Sequence, residues 1–262
     1  MESIPFIKAS ACGNDFLLID LARLPRGGDL AAVTRRLCDR HDGVGADGVE
    51  WLSEDAEADV RARLVNADGS PAEISGNGTR CVAAYITLQQ SLPAVDIRTD
   101  AGIKTCTLTA QEGNRFEFET AMGEPQVGDP FTIKLAFGEI TGVPVSMGNP
   151  HFVVFVDEFV PGWQAEAAEI GRHHDFKYGI NVELVKIKNQ SNIEVMFFER
   201  GVGETRSSGT GSCAAAVASI FIKRAQSPVN VHTQGGVQTV RWEGEVFLRG
   251  SAQLVCRGEF FI

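Results

Sequence analysis

Most of the chain alternates apolar and polar positions with the period of a β-strand. Val60–Val65 is the clearest case, with Val60, Ala62 and Leu64 on one face and Arg61 and Arg63 on the other. The same reading predicts strands over Phe6–Ala9, Phe16–Asp20, Val49–Leu52, Val95–Thr99, Ile103–Leu108 and Phe116–Thr120. Later in the chain it predicts them over Val143–Met147, Phe152–Val156, Asn181–Lys188, Asn192–Phe198, Val229–His232, Val237–Trp242, Val246–Arg249 and Ala252–Ile262. Helical spacing joins Leu30, Val33, Leu37 and Cys38 within Leu30–Asp39, and another helix is expected near Gln164–Arg172. Turn residues cluster from Gly123-Glu124-Pro125 to Gly128-Asp129-Pro130 and mark a linker. These elements predict an α+β chain of two lobes, residues 1–122 and 123–251. The last strand, roughly 252–262, is expected to return to the first lobe.

Two further helices start alike. Ser75-Gly76-Asn77-Gly78 opens into Thr79–Tyr85, and Ser208-Gly209-Thr210-Gly211 opens into Ser212–Val217, both runs of small and apolar residues that predict buried helices. Nine positions before each serine stands a polar residue, Asn66 or Glu199, at the end of a predicted strand. The copies lie about half a chain apart, a separation that suits duplicated halves and not a solenoid. Glycine allows close approach of backbone to a ligand, and the first turn of a helix leaves N–H groups without intrahelical acceptors. Those donors and the helix dipole favour an anion such as a carboxylate or phosphate. Two such ends across a cleft would grip one small anionic group, with Ser75 and Ser208 aimed at it from opposite sides. That is a layout for removing a proton on one face and returning it on the other.

Composition narrows the alternatives. The chain has 262 residues, 44% hydrophobic and 22% charged, enough for an ample core and unlike a disordered segment. A formal net charge of −10 argues against nucleic acid or an anionic membrane as partner. No apolar run has membrane-spanning length, and Met1–Ser10 lacks the features of a signal peptide. Six scattered cysteines without a CxxC pair suit reduced thiols, and a cytoplasmic location is expected. His173 and His174 are adjacent, which is not metal-ligand spacing on one helix face, so no metal is expected.

The ordered motifs Gly13-Asn14-Asp15-Phe16, Gly43-Val44-Gly45-Ala46-Asp47-Gly48, Asn66-Ala67-Asp68-Gly69, Gly76-Asn77-Gly78-Thr79-Arg80-Cys81, Ser146-Met147-Gly148-Asn149-Pro150-His151 and Glu199-Arg200-Gly201-Val202-Gly203-Glu204-Thr205 span nearly the whole sequence. In them the chain resembles the diaminopimelate epimerases. The resemblance implies two pseudosymmetric lobes, each a curved, mostly antiparallel sheet around a central helix, with the active site in the cleft between them. It also implies a homodimer and a cofactor-free exchange of the Cα proton that interconverts LL- and meso-diaminopimelate in lysine and peptidoglycan synthesis. By that resemblance the backbone at Gly76, Asn77, Gly209 and Thr210 would clamp the substrate α-carboxylate. Asn14, Asn66, Asn149, Asn181 and Arg200 would hold the distal carboxylate and amine, and Glu199 would face an ammonium. Asp68 and Glu204 are expected to be turn and capping groups.

The catalytic positions depart from the family, which carries a cysteine pair where this chain has Ser75 and Ser208. A helix N-terminus can lower a thiol pKa toward neutrality. A hydroxyl titrates far higher and needs a base beside it. Epimerisation is therefore expected to be strongly reduced or absent, with amino-acid binding retained. Three readings stay open: an altered chain that binds substrate without turnover, a relative that has become a non-catalytic amino-acid-binding protein, or a lyase (dehydratase) removing water from a hydroxy-amino acid. A second departure lies before Asn181, where Ile180 replaces the family's threonine and bears on which amino acid is chosen.

Overall fold

The computed structural model describes residues 3–262, which divide into two compact units. One unit comprises the chain up to Thr120 together with Gly250–Ile262, and the other is Ala121–Arg249.

The first unit opens with a hairpin of β1 (Ser3–Ala11) and β2 (Asn14–Asp20). Its two-residue turn, Cys12-Gly13, has both φ angles positive, 47° and 82°, as the favoured hairpin turns require. That turn fixes Asn14 as the first residue of β2, opposite Ala11. Helix α1 (Leu30–Cys38) follows, capped by Asp29, whose carboxylate accepts from Ala31 N–H at 3.1 Å. Strand β3 (Gly48–Ser53) pairs parallel to β2 and antiparallel to β4 (Val60–Asn66). Trp51 on β3 donates its indole N–H to Thr34 Oγ1 on α1 at 3.0 Å, pinning helix to sheet in a buried contact. The short β5 (Pro71–Ala72) leads into α2 (Gly76–Gln90), and β6 (Ala94–Thr99), β7 (Gly102–Glu112) and β8 (Arg115–Gly123) complete the run. Helix α2 is buried almost continuously from Asn77 to Ile86, with only Tyr85 partly exposed, because strands β1, β2, β4, β6 and β7 all pack on it. Cys81, Val82, Ala83 and Ala84 meet Phe116 and Phe118 in that core. Each large apolar side chain so buried contributes about 1.5–3 kcal/mol.

The second unit repeats the theme. Strands β9 (Gln126–Val127), β10 (Phe131–Leu135), β11 (Gly138–Ser146) and β12 (Pro150–Phe155) precede α3 (Trp163–Gly171). Strand β13 (Asn181–Asn189) runs parallel to β12, placing Asn181 beside His151, and pairs antiparallel with β14 (Asn192–Glu199). After β15 (Gly203–Thr205) comes α4 (Gly209–Phe221), buried from Gly211 to Ser219. Then β16 (Val229–Thr233), β17 (Gly236–Glu243) and β18 (Glu245–Phe261) follow, the last running from the second unit into the first. Each unit thus wraps strands about one buried helix. Among the described residues no helix is long and apolar enough to cross a membrane.

Three elements differ from the sequence expectation. The 123–130 segment is not an unstructured linker: Gln126 and Val127 pair with Ser146 and Val145. The hairpin of β10 and β11 adds strand before Val143. The strands expected over Val246–Arg249 and Ala252–Ile262 are one continuous strand, because Gly250 and Ser251 stay extended.

Thr34→Val would leave the buried Trp51 N–H without an acceptor. It is expected to lower the unfolding free energy by about 1–3 kcal/mol in urea melts.

Candidate functional site

Both repeated turns are helix N-caps. Ser75 sits in extended backbone (φ −126°) and its Oγ accepts from Gly78 N–H at 3.1 Å. Ser208 does the same (φ −139°), accepting from Gly211 N–H at 3.2 Å. In each case the hydroxyl lone pair caps the helix and the O–H proton remains available for donation. A helix start leaves its first N–H groups without intrahelical acceptors, here at Gly76 and at Gly209 and Thr210, which is the arrangement that favours an anion.

In the first unit the structure ties Asn14 to Asn77: the Asn77 amide donates to Asn14 Oδ1 at 2.6 Å, and Asn14 Nδ2 donates to Asp47 at 3.0 Å. Arg80, buried on α2, donates to Asn77 Oδ1 and to Cys12 Sγ. Burial raises the Asp15 carboxyl, but hydrogen bonds from Arg40 and Lys8 outweigh it and hold the pKa below the usual range. Arg40 also pairs with Asp47 at 2.7 Å, so the loop that ends in Gly48 is locked to the β1–β2 turn. Asn66 lies opposite Gly48 at the end of β4 and donates to Ser70 Oγ at 3.0 Å. Asp68 is a turn group, accepting from Ser70 N–H and Oγ–H.

In the second unit Asn149 Nδ2 donates to Thr210 Oγ1 at 3.3 Å, and Asn149 Oδ1 lies 3.0 Å from His151 Nε2. His151 Nδ1 lies 2.7 Å from Glu183 Oε1, with both side chains buried. With Nε2 donating to Asn149, one further proton occupies the Nδ1–Oε1 contact, on whichever atom carries it. Asn181 is committed to backbone: it donates to the Pro150 carbonyl at 3.0 Å and accepts from Arg200 N–H at 2.9 Å. The exposed Arg200 guanidinium donates to the Tyr178 carbonyl at 3.2 Å. Glu199 accepts from Thr205 Oγ1 at 2.7 Å, and burial raises its pKa despite that bond and the nearby His151. Glu204 is no helix cap; it accepts from Gln164 and Gln234 side chains on the surface.

The sequence reading missed two residues. Glu50 on β3 and Glu183 on β13 are buried glutamates pressed against the second glycine of each turn. A Cβ built on Gly78 would lie 2.1 Å from Glu50 Oε1 and 3.3 Å from Ser75 Cβ. A Cβ on Gly211 would lie 2.8 Å from Glu183 Oε1 and 2.9 Å from Phe197. Glycine is required at both positions so that a carboxyl can abut the first helical turn. Burial pushes the Glu50 carboxyl up to about 8 and raises Glu183 as well, His151 opposing the rise in the second case. Glu183 Oε2 is buried and has no hydrogen-bond partner among the described residues. The signal was present as a lone acid in an apolar run: Gly48-Val49-Glu50-Trp51-Leu52 and Asn181-Val182-Glu183-Leu184-Val185 are buried at every position.

Because the folded pKa of Glu50 lies above the ordinary 4.5, its protonated form is favoured by folding. Its contribution is complete below pH 4.5 and is lost as pH rises through about 8. Glu50→Gln removes that dependence. The variant's unfolding free energy relative to wild type is expected to rise across this window, by up to about 1.4 kcal/mol per pH unit, in melts taken from pH 4.5 to 8.5.

The chain is 37% identical to the diaminopimelate epimerase of Pelotomaculum thermopropionicum, with 97% of this chain and 98% of that protein covered. It is 34% identical to that of Moorella thermoacetica, over 97% and 98%. Among solved structures, a PhzF-family phenazine biosynthesis protein of Bacillus anthracis superposes with a TM-score of 0.74 at 17% identity, covering 100% of both chains. A hydroxyproline epimerase of Agrobacterium vitis, solved with trans-4-hydroxy-L-proline, gives 0.72 at 15% identity, covering 99% of this chain and 91% of that one. These two likenesses show the α+β fold. The family model described as diaminopimelate epimerase matches residues 6–128 and 143–255, and with the identities above it shows that this chain belongs to the diaminopimelate epimerase family.

Proposed function

We propose that the chain is a cofactor-independent amino-acid epimerase that binds diaminopimelate and exchanges its Cα proton, with Ser75 serving one epimer and Ser208 the other. The observation that carries this is the matched pair of helix N-termini, each presenting a capped serine hydroxyl at the head of an anion-holding turn. Gly76, Asn77, Gly209 and Thr210 supply backbone donors for the α-carboxylate. The Asn14–Asn77 and Asn149–Thr210 contacts set polar side chains beside those turns. Asn66, Asn181, Glu199 and Arg200 complete recognition of the distal amine and carboxylate, Asn181 by holding the Arg200 backbone. Family resemblance supports a homodimer and a small-molecule substrate, and six free cysteines fit a reducing cytoplasm.

The departure from sulfur sets the rate. Abstraction of a Cα proton needs a basic group held close, and a serine hydroxyl is far less acidic than a thiol. The reaction is therefore slow in this chain, with binding of the zwitterion intact.

In D2O, wild-type protein is expected to wash deuterium slowly into LL- and meso-diaminopimelate. Ser75→Ala and Ser208→Ala should each abolish epimerisation. Ser75→Cys combined with Ser208→Cys should raise the exchange rate by about 10²–10⁴-fold. No calorimetric binding at millimolar substrate, together with no exchange in the double-cysteine protein, would sink this reading.

A further inference from the structure

The serines need proton acceptors of their own, and the fold places a buried carboxyl at the head of each helix. Glu50 reaches the head of α2 from β3, and its Oε1 and the Ser75 Cβ crowd the same point, the position a Gly78 side chain would take. Glu183 reaches the head of α4 from β13, its Oε1 and the Phe197 ring crowding the position a Gly211 side chain would take. Both carboxyls are almost or wholly buried, 3% and 0% exposed. A buried acid without an evident structural partner is costly, since an apolar residue would fill the strand interior more favourably. Neither glutamate makes an ion pair with Lys or Arg among the described residues. Glu183 bonds His151 through one oxygen and leaves the other unpartnered among the described residues.

We propose that Glu50 and Glu183 are positioning residues that complete two proton relays, Glu50 through the Ser75 hydroxyl and Glu183, with His151 behind it, through the Ser208 hydroxyl. This rests on the epimerase reading above. In one direction the Cα–H bond breaks and its proton goes to Ser75 Oγ as the Ser75 hydroxyl proton passes to the Glu50 carboxylate. The electron pair stays on the substrate, delocalised into the α-carboxylate held by the helix ends. Ser208 then gives its hydroxyl proton to the other face of Cα and takes one from the Glu183–His151 pair. No serine alkoxide accumulates, and the protons balance: Glu50 ends protonated and the Glu183–His151 pair one proton poorer. The reverse reaction restores both. Burial raises both carboxyls, and a carboxylate so raised is a stronger base than an exposed one, which suits such a store.

The test is deuterium exchange with LL- and meso-diaminopimelate read separately, alongside calorimetric affinity. Glu50→Gln should lose exchange from one epimer by at least about 100-fold and keep exchange from the other, and Glu183→Gln should show the opposite preference. Epimerisation should fail in both, with affinity within about threefold of wild type, as a lost relay lowers kcat and leaves binding in place. In a Ser75→Cys background Glu50→Gln should cost less than about fivefold, because a thiolate forms without the carboxylate. Glu50→Met provides a second variant, apolar and of similar size, should Gln at this position fail to fold. Equal exchange from both epimers in Glu50→Gln would overturn the relay. So would an equal loss in the serine and cysteine backgrounds, which marks a purely structural role. Wild-type protein that binds without exchange, while the double-cysteine protein exchanges, overturns the relay and leaves the substrate assignment standing. Absence of binding and exchange in both removes the substrate assignment itself.

Discussion

A carboxyl group pressed into the first turn of a buried helix is the contact on which the rest of each unit depends. Glu50 under α2 and Glu183 under α4 sit where any side chain larger than hydrogen on Gly78 or Gly211 would collide with them. The serine one turn back caps the same glycine's N–H, so cap, glycine and acid meet at each helix head. Anionic charge near a helix N-terminus is favoured by the helix dipole, which offsets part of the cost of burial. The two units settle the remaining cost differently. Burial raises Glu50 with no ion pair or hydrogen bond to oppose it among the described residues, whereas the His151 imidazole 2.7 Å from Glu183 opposes the rise there. One half therefore buries a lone acid and the other an acid–imidazole pair.

The helices can be buried on all sides because their sequences make it cheap. Ala83, Ala84, Ala214, Ala215, Ala216 and Ala218 are fully buried and lose no side-chain entropy. Small side chains also let strands come close on every flank, which brings β3 and β13 near enough for a glutamate to reach the helix head. A bulkier helix would hold those strands away and leave the turn without its acid.

Period-two alternation carried most of the fold, because half-buried strands such as β4 write their facing directly into sequence: Val60, Ala62 and Leu64 are buried and Arg61 and Arg63 exposed. It failed where context replaced pattern. Phe131–Leu135 follows the turn cluster that ends at Pro130 and carried no strand expectation, yet pairs with Gly138–Gly142. Gly250 and Ser251 resemble a break but continue β18, since the close packing of the Arg80 guanidinium on Gly250 requires a residue without a side chain there. Among candidate site residues, the two serine-capped helix starts were legible from their repeat and the asparagines from family motifs. Glu50 was not, because a glutamate in a strand is ordinarily assigned to the solvent face. Its burial follows from helices on both faces of β3, α1 against Trp51 and α2 against Glu50, a tertiary fact absent from a window of a few residues. Asn181 shows the converse: its motif is clear, but its amide is spent on the Pro150 carbonyl and Arg200 N–H, a positioning use that residue type alone does not reveal.

Exchanging sulfur for oxygen at the two caps works in opposite directions on stability and on chemistry. A serine hydroxyl is among the best N-cap acceptors, so both helix ends are better anchored with Ser75 and Ser208 in place. The same oxygen holds its proton more tightly than a thiol and cannot act alone as a base near neutral pH. A scaffold that lost only its bases would have no further use for an unpaired buried glutamate, and filling β3 with an apolar side chain at position 50 would relieve a desolvation penalty large enough to move that carboxyl to about 8. That penalty falls at the head of α2, where Glu50 Oε1 and the Ser75 side chain crowd the same point. The cost of keeping Glu50 buried is thus an argument that the serine pair still moves protons.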